Sequence, residues 1–410
     1  MFLSSVRQAL AALFVAVLVT ACGGSGDPAP APTGGIAVSP GDGKATVTWQ
    51  MDPNVKYWVF YAPTTSAITT ANWTNFPGSV AAMNVSSPYV VTGLVNGFTY
   101  GFTVNGRTGD AAGGPGSPSV SIIPRPAGAT WSAPQVLGSD TLRGITYGLS
   151  TADSLGYYLA AGDNGSAFKS RDGLTFTAAA SVPNTNVNAV IYNLSKYMAV
   201  GASGIIYTST DLNTWTPANA ATGQNLNAIA SNGTIAIVVG NNGTVRSTAD
   251  GIVWTGVTVP TTQNLYGITY TAAGYWVAVG AGGTVLTSAD GVTWTAAASG
   301  TTADLRAVAV QAYTTYTYVA VGDSGTILRS TDNGATWTAQ ASPTQSNLLA
   351  VSAASTQFLV TGSSGTIATS VDGITWTSRA SGTTTDLYAV ISGLAQYVAV
   401  GSGGVTINSQ

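Results

Sequence analysis

The chain has 410 residues with 45% hydrophobic and only 7% charged side chains, and its net charge of −3 gives no electrostatic reason to bind nucleic acid. Its 16 acidic residues are all aspartate and it has no histidine, which excludes imidazole-ligated zinc, a His-dependent triad and glutamate acid–base chemistry. With one cysteine, stability must come from packing rather than intrachain disulfides.

Residues 1–21 read as an export signal. Arg7 precedes an apolar run from Ala9 to Val19, and small residues follow at Thr20-Ala21-Cys22. The run is too short to span a bilayer comfortably. Val19-Thr20-Ala21-Cys22 resembles the lipobox of bacterial lipoproteins, with Val19 where that family usually has leucine. The resemblance implies that Cys22 carries a diacylglycerol thioether and an acylated amino group, palmitate among the chains, as a firm bilayer anchor. Gly23 stands where a retention aspartate would be, so by analogy the expected home is the outer membrane, facing either the periplasm or the outside. Residues 22–35 hold the lipidated cysteine and a flexible Gly/Ser/Pro/Ala/Thr spacer.

Residues 36–125 are predicted to form an all-β domain. Lys44–Gln50 alternates, with Ala45, Val47 and Trp49 on one face, and further strands are expected at 57–61, 89–94, 98–104 and 120–123. The turn Gly41-Asp42-Gly43-Lys44, Trp49, and Leu94 six residues before Tyr100 make the segment similar to a fibronectin type III domain of immunoglobulin-like sandwich form. Such domains space or weakly bind partners and imply no catalysis.

Residues 127–410 repeat at about 40 residues, the interval of a four-stranded propeller blade. A short apolar strand recurs seven times, from Leu142-Arg143-Gly144-Ile145 to Leu387-Tyr388-Ala389-Val390, and predicts a seven-bladed β-propeller. Small residues at its third position suit a crowded axis. A second element, clearest at Tyr275–Gly280, and a third at Gly283–Ser288 are joined through a glycine that recurs from Gly165 to Gly404. The last repeat ends without its fourth strand, and Ala129–Pro134, with Trp131, is expected to supply it and close the ring.

Each outer hairpin carries an aspartate, Asp172, Asp211, Asp250, Asp290, Asp332 and Asp372, followed by Phe176 or a tryptophan. Ser330–Trp337 matches the Asp-box, the bacterial neuraminidase repeat, and the array resembles the propellers of photosystem II assembly factors. The aspartates are expected to bind their own turns and the aromatic rings to fill the space between sheets. Neuraminidase chemistry does not carry over, because the resemblance implies a glutamate that this chain lacks. Nor does the assembly role follow from the scaffold.

Candidate ligand-binding residues lie on the inner strands, at Arg143, Asn188, Asn227, Tyr266, Arg306, Leu349 and Tyr388, and just before them, at Asn186, Asn225, Asn264, Asp304, Asn347 and Asp386. These residues can bond hydroxyls or peptide groups, and tyrosine can stack on sugars. The alternative reading of part of the asparagine pattern is that it only satisfies turns at strand entry. No catalytic residue, metal or cofactor is expected. The expected role is a non-catalytic envelope module recognising a protein or glycan at one propeller mouth. The alternatives are a structural assembly protein and an Asp-only glycoside hydrolase using Asp304 or Asp386.

Overall fold

The structure is a computed structural model describing residues 28–109, 113–125, 128–153, 155–183, 185–312, 316–354, 357–393 and 396–409. The predicted signal peptide and Cys22 lie outside the described residues. No described helix is long and apolar enough to cross a membrane. The chain separates into two compact units, Met1–Arg125 and Pro126–Gln410.

The first unit has two antiparallel sheets, one of Ile36–Gly41, Lys44–Trp49 and Tyr89–Thr92, the other of Val80–Val85, Lys56–Pro63, Tyr100–Arg107 and Val120–Ile122. The alternation in Lys44–Trp49 sends Ala45, Val47 and Trp49 into a core shared with Tyr57, Val59, Phe102 and Val104. The Tyr100 hydroxyl accepts the Val95 N–H at 3.1 Å, so the buried ring ties down the preceding turn. Asn96 accepts the Gly43 N–H and donates to Asp42, joining that turn to the one before Lys44. The strand predicted from Phe98 begins at Tyr100. Phe98 belongs to the turn, and 62% of its surface is exposed.

The second unit is all-β. Among the described residues it contains seven four-stranded antiparallel sheets, six made of consecutive strands. Their inner strands are Leu142–Leu149, Val187–Asn193, Leu226–Ser231, Leu265–Tyr270, Leu305–Ala312, Leu348–Ala353 and Leu387–Ser392. These neighbour one another in chain order and the seventh returns to the first, a propeller-like arrangement. A Cβ on Gly267 would lie 2.9 Å from Ala307 Cα in the next inner strand, so crowding dictates the small third residue.

The second strands are buried along most or all of their length, as in Trp276–Gly280, and therefore read as continuous apolar runs. Each core cluster joins two neighbouring sheets. Ile237 and Val239 of the third sheet meet Leu265, Trp276 and Trp294 of the fourth. Burying one such large side chain contributes roughly 1.5–3 kcal/mol. Second and third strands are linked by tight turns, among them Asn241–Gly243, where Asn242 and Gly243 have φ of 53° and 64°.

The seventh sheet takes three strands from the end of the second unit, Leu387–Ser392, Tyr397–Gly401 and Val405–Asn408, and a fourth, Gln135–Val136, from its beginning. This pairing falls just after the segment expected at Ala129–Pro134. Ser132 donates to the Asn408 carbonyl at 2.8 Å, and Trp131 bridges to Ser409. Pro134 has no N–H to offer, and the ladder resumes with Gln135 opposite Thr406 and Val136 opposite Val405. Trp131 packs with Leu359 and Ile367 of the sixth sheet and Ile407 of the seventh.

Candidate functional site

Every inner strand opens with the same irregularity. Leu226 pairs with Gly240 and Ala228 with Val239, leaving Asn227 as a bulge residue without a partner in the ladder. The same register shift isolates Asn188, Tyr266, Arg306, Leu349 and Tyr388, and in the first sheet Arg143. A bulge re-aims its side chain out of the pleat. All seven variable residues are half-buried at the end where the inner strands begin.

Four of these residues form two arginine–tyrosine pairs between neighbouring sheets. Arg306 binds Asp323 through Nε and Nη2 at 2.8 and 2.7 Å, approaches Asp304 at 3.2 Å, and lies 4.7 Å from the centre of the Tyr266 ring. Arg143 binds Asp163 at 2.7 and 3.0 Å and lies 5.2 Å from the Tyr388 ring. The hydrogen bonds to Asp323 and Asp163 raise the pKa of each guanidinium against the opposing effect of burial. Tyr388 donates to Asp386 at 3.5 Å. Asn188 and Asn227 instead donate to the Leu226 and Leu265 carbonyls of the following sheets, both at 2.9 Å. Leu349 is the apolar member of the set.

The residues preceding the inner strands have a different task. Asn186 accepts the Asn164 N–H, Asn225 that of Ser203, Asn264 that of Asn242, Asp304 that of Gly282, Asn347 that of Ser324 and Asp386 that of Ser364. The distances run from 2.8 to 3.0 Å, and every bond joins one sheet's tight turn to the next sheet. Each side chain thus acts as a clasp between sheets. The structure brings these residues to the same end as the bulge residues but commits one oxygen of each to the scaffold.

Three aspartates at this end were not among the expected site residues. Asp163 and Asp323 hold the arginines. Asp140 accepts hydrogen bonds from Ser166 and Asn164, and these hold its carboxyl below the usual range. The signal for Asp163 and Asp323 was their place at the first position of the tight turn, 20 and 17 residues after an arginine. Between turns and entry linkers run open grooves. One of about 500 Å³ is lined by Asn164, Thr185, Asn186, Ala202, Ser203 and Ile205. Another, of about 630 Å³, lies along Gly282, Gly283 and residues 297–302.

The six outer-hairpin aspartates occupy the opposite end, as the antiparallel strand order requires. Asp290 Oδ1 accepts the Val292 and Thr293 N–H groups and the Ser288 hydroxyl. The backbone bonds, Thr293 first, pull its carboxyl down to about 2. Asp172, Asp211, Asp250, Asp332 and Asp372 close their hairpins in the same way. The adjoining glycine rests against the preceding sheet: a Cβ on Gly291 would approach Ile237 to 2.8 Å. In the second sheet Leu212 takes that place with φ of 59°, filling the gap with a buried side chain. Among the described residues no group of three His, Cys, Asp or Glu could hold a metal.

No protein-family profile and no curated protein sequence matches the chain. Solved structures do. A structure of YCF48 bound to D1 peptide is similar with a TM-score of 0.56 at 19% identity, over 68% of this chain and 94% of that one. YCF48 from Cyanidioschyzon merolae is similar with a TM-score of 0.56 at 18% identity, over 69% and 99%. At these identities the likeness is one of fold, and the fold of this chain resembles that of YCF48.

Proposed function

We propose that this chain is a non-catalytic binding or scaffold module of the bacterial cell envelope that recognises a protein at the end where its inner strands begin. In this reading residues 127–410 are a seven-bladed propeller closed by its own first strand, and residues 36–125 a fibronectin type III-like spacer. Residues 1–21 are removed, and Cys22 anchors the spacer 22–35 to the outer membrane. The observation that carries the reading is the bulge repeated in all seven inner strands, which turns seven differing side chains out of an almost constant frame. Tyr266 and Tyr388, each beside a partly exposed arginine, are suited to be the anchors of a contact. That a similarly folded YCF48 has been solved with a peptide supports a polypeptide as the ligand class over a glycan.

The rival reading, a structural protein packed by its rim, has its own support. Thr177, Thr216, Thr255, Thr295, Thr338 and Thr377 stand exposed on successive outer strands. An Asp-only hydrolase has less support, because Asp304 and Asp386 each hold a turn. Site-specific photo-crosslinkers at Tyr266, Tyr388 and Thr295, expressed in cells, test the choice. The reading expects one protein adduct from both tyrosine positions and none from Thr295. Adducts from Thr295 alone would favour the rim.

A further inference from the structure

Six of the seven seams between sheets carry the same two fastenings, and the seventh carries neither. At the entry end an Asn or Asp oxygen caps the second N–H of the preceding tight turn, from Asn186 on Asn164 to Asp386 on Ser364. Between the sheets, a tryptophan fills the seam: Trp215, Trp254, Trp294, Trp337, Trp376 and, at the sixth and seventh sheets, Trp131.

At the seam between the seventh and first sheets the corresponding residues are Thr141, Gly403 and Phe176. Thr141 occupies the clasp position, since its carbonyl accepts the Asp163 N–H just as the Asn225 carbonyl accepts that of Asn241. Its side chain is too short to reproduce the clasp, and no described residue accepts the Gly403 N–H. Phe176 packs on Val398 and Val400 where the other seams have an indole. What crosses the seam near the mouth is the Arg143 guanidinium over the Tyr388 ring. At the far end Gln396 donates to the Asp172 carbonyl at 2.8 Å.

We propose that the ring opens at this seam. The first sheet swings from the seventh at the entry end, with the Gln396–Asp172 contact as the pivot and the Arg143–Tyr388 contact as the latch. The inference rests on the closed seven-sheet ring proposed above. It makes one of the two arginine–tyrosine pairs adjustable, while the Tyr266–Arg306 pair stays fixed across a clasped seam.

Hydrogen exchange of the full chain, read by mass spectrometry, tests this. Residues 135–142 and 402–408 are compared with 338–348 and 323–330, the equivalent segments of the fifth and sixth sheets. The proposal expects exchange about tenfold faster in the first pair. Thr141→Asn, which restores the clasp, and Phe176→Trp, which refills the seam, should each slow that pair about fivefold and leave the second pair unchanged. Equal exchange at both seams overturns the proposal while leaving the closed ring intact. Exchange of 135–136 at the rate of free peptide means that the ring itself is not closed. Variants that slow both pairs alike, or neither, also overturn the proposal.

Discussion

Asn225 Oδ1 accepts the Ser203 N–H across 2.9 Å, from the third sheet to the second, and Asp304 Oδ1 does the same for Gly282 at 2.8 Å. Asn and Asp are therefore interchangeable as clasps, and the two aspartates bring charge to the mouth that the clasp itself does not need. Asn225→Ala should destabilise the second unit by about 1–2 kcal/mol, the cost of an uncapped turn, while Asn225→Asp changes it little. Denaturant melts of the two variants check this. Equal losses in both would mean that the amide, not the oxygen, matters.

Thr361 is fully buried and, among the described residues, its hydroxyl has no hydrogen-bond partner. The matching second-strand positions hold Ala161, Val200, Val239, Val279, Val321 and Val400. Thr361→Val keeps the shape and removes the unsatisfied hydroxyl, so it should raise stability by about 1 kcal/mol. A lowered melting temperature would show that the hydroxyl has a partner in solution.

The outer-hairpin aspartates give the second unit an acid limit. Their pKa values are depressed in the folded state: that of Asp290 falls to about 2, and those of Asp211 and Asp250 fall through hydrogen bonds led by the backbone N–H of Thr214 and Ile252. A depressed carboxyl stabilises the fold above its unfolded pKa and loses that contribution as pH falls through the folded value. The melting temperature should fall between about pH 4 and pH 2. With no histidine, it should show no histidine-type step near pH 6.5. Asp290→Asn should flatten part of the acid fall, and a profile identical to that of the parent chain would show that Asp290 does not contribute.

Cys22 is expected to carry lipid on the strength of Val19-Thr20-Ala21-Cys22. Metabolic labelling with a fatty-acid analogue should mark the parent chain and fail in Cys22→Ser. Label kept by the variant would place the anchor elsewhere.

Much of the second unit is legible in the sequence because each repeat marks its own elements. The apolar run Trp276–Gly280 announces a strand buried on both faces, and Ser288-Ala289-Asp290-Gly291 announces the hairpin that binds its own aspartate. The clasps are only partly legible: the sequence allows the asparagines to satisfy turns, but Asn225 finds its donor in a turn 22 residues earlier, exposed only once Ser203 adopts φ of 55°. The bulge is equally hidden: Leu226-Asn227-Ala228 looks like plain strand until pairing leaves Asn227 over. In the first unit Val80–Val85 escapes notice because none of its side chains is fully buried, which erases the period of two.

Most polar groups at the entry end serve the scaffold, and the proposed reading leaves Tyr266 and Tyr388 for a partner. Once the cross-linked protein is identified, calorimetric titration of that protein with the Tyr266→Ala/Tyr388→Ala double variant tests this most directly. At least about a tenfold loss of affinity is expected, with the cooperative melt retained. Unchanged affinity in a folded double variant would contradict it.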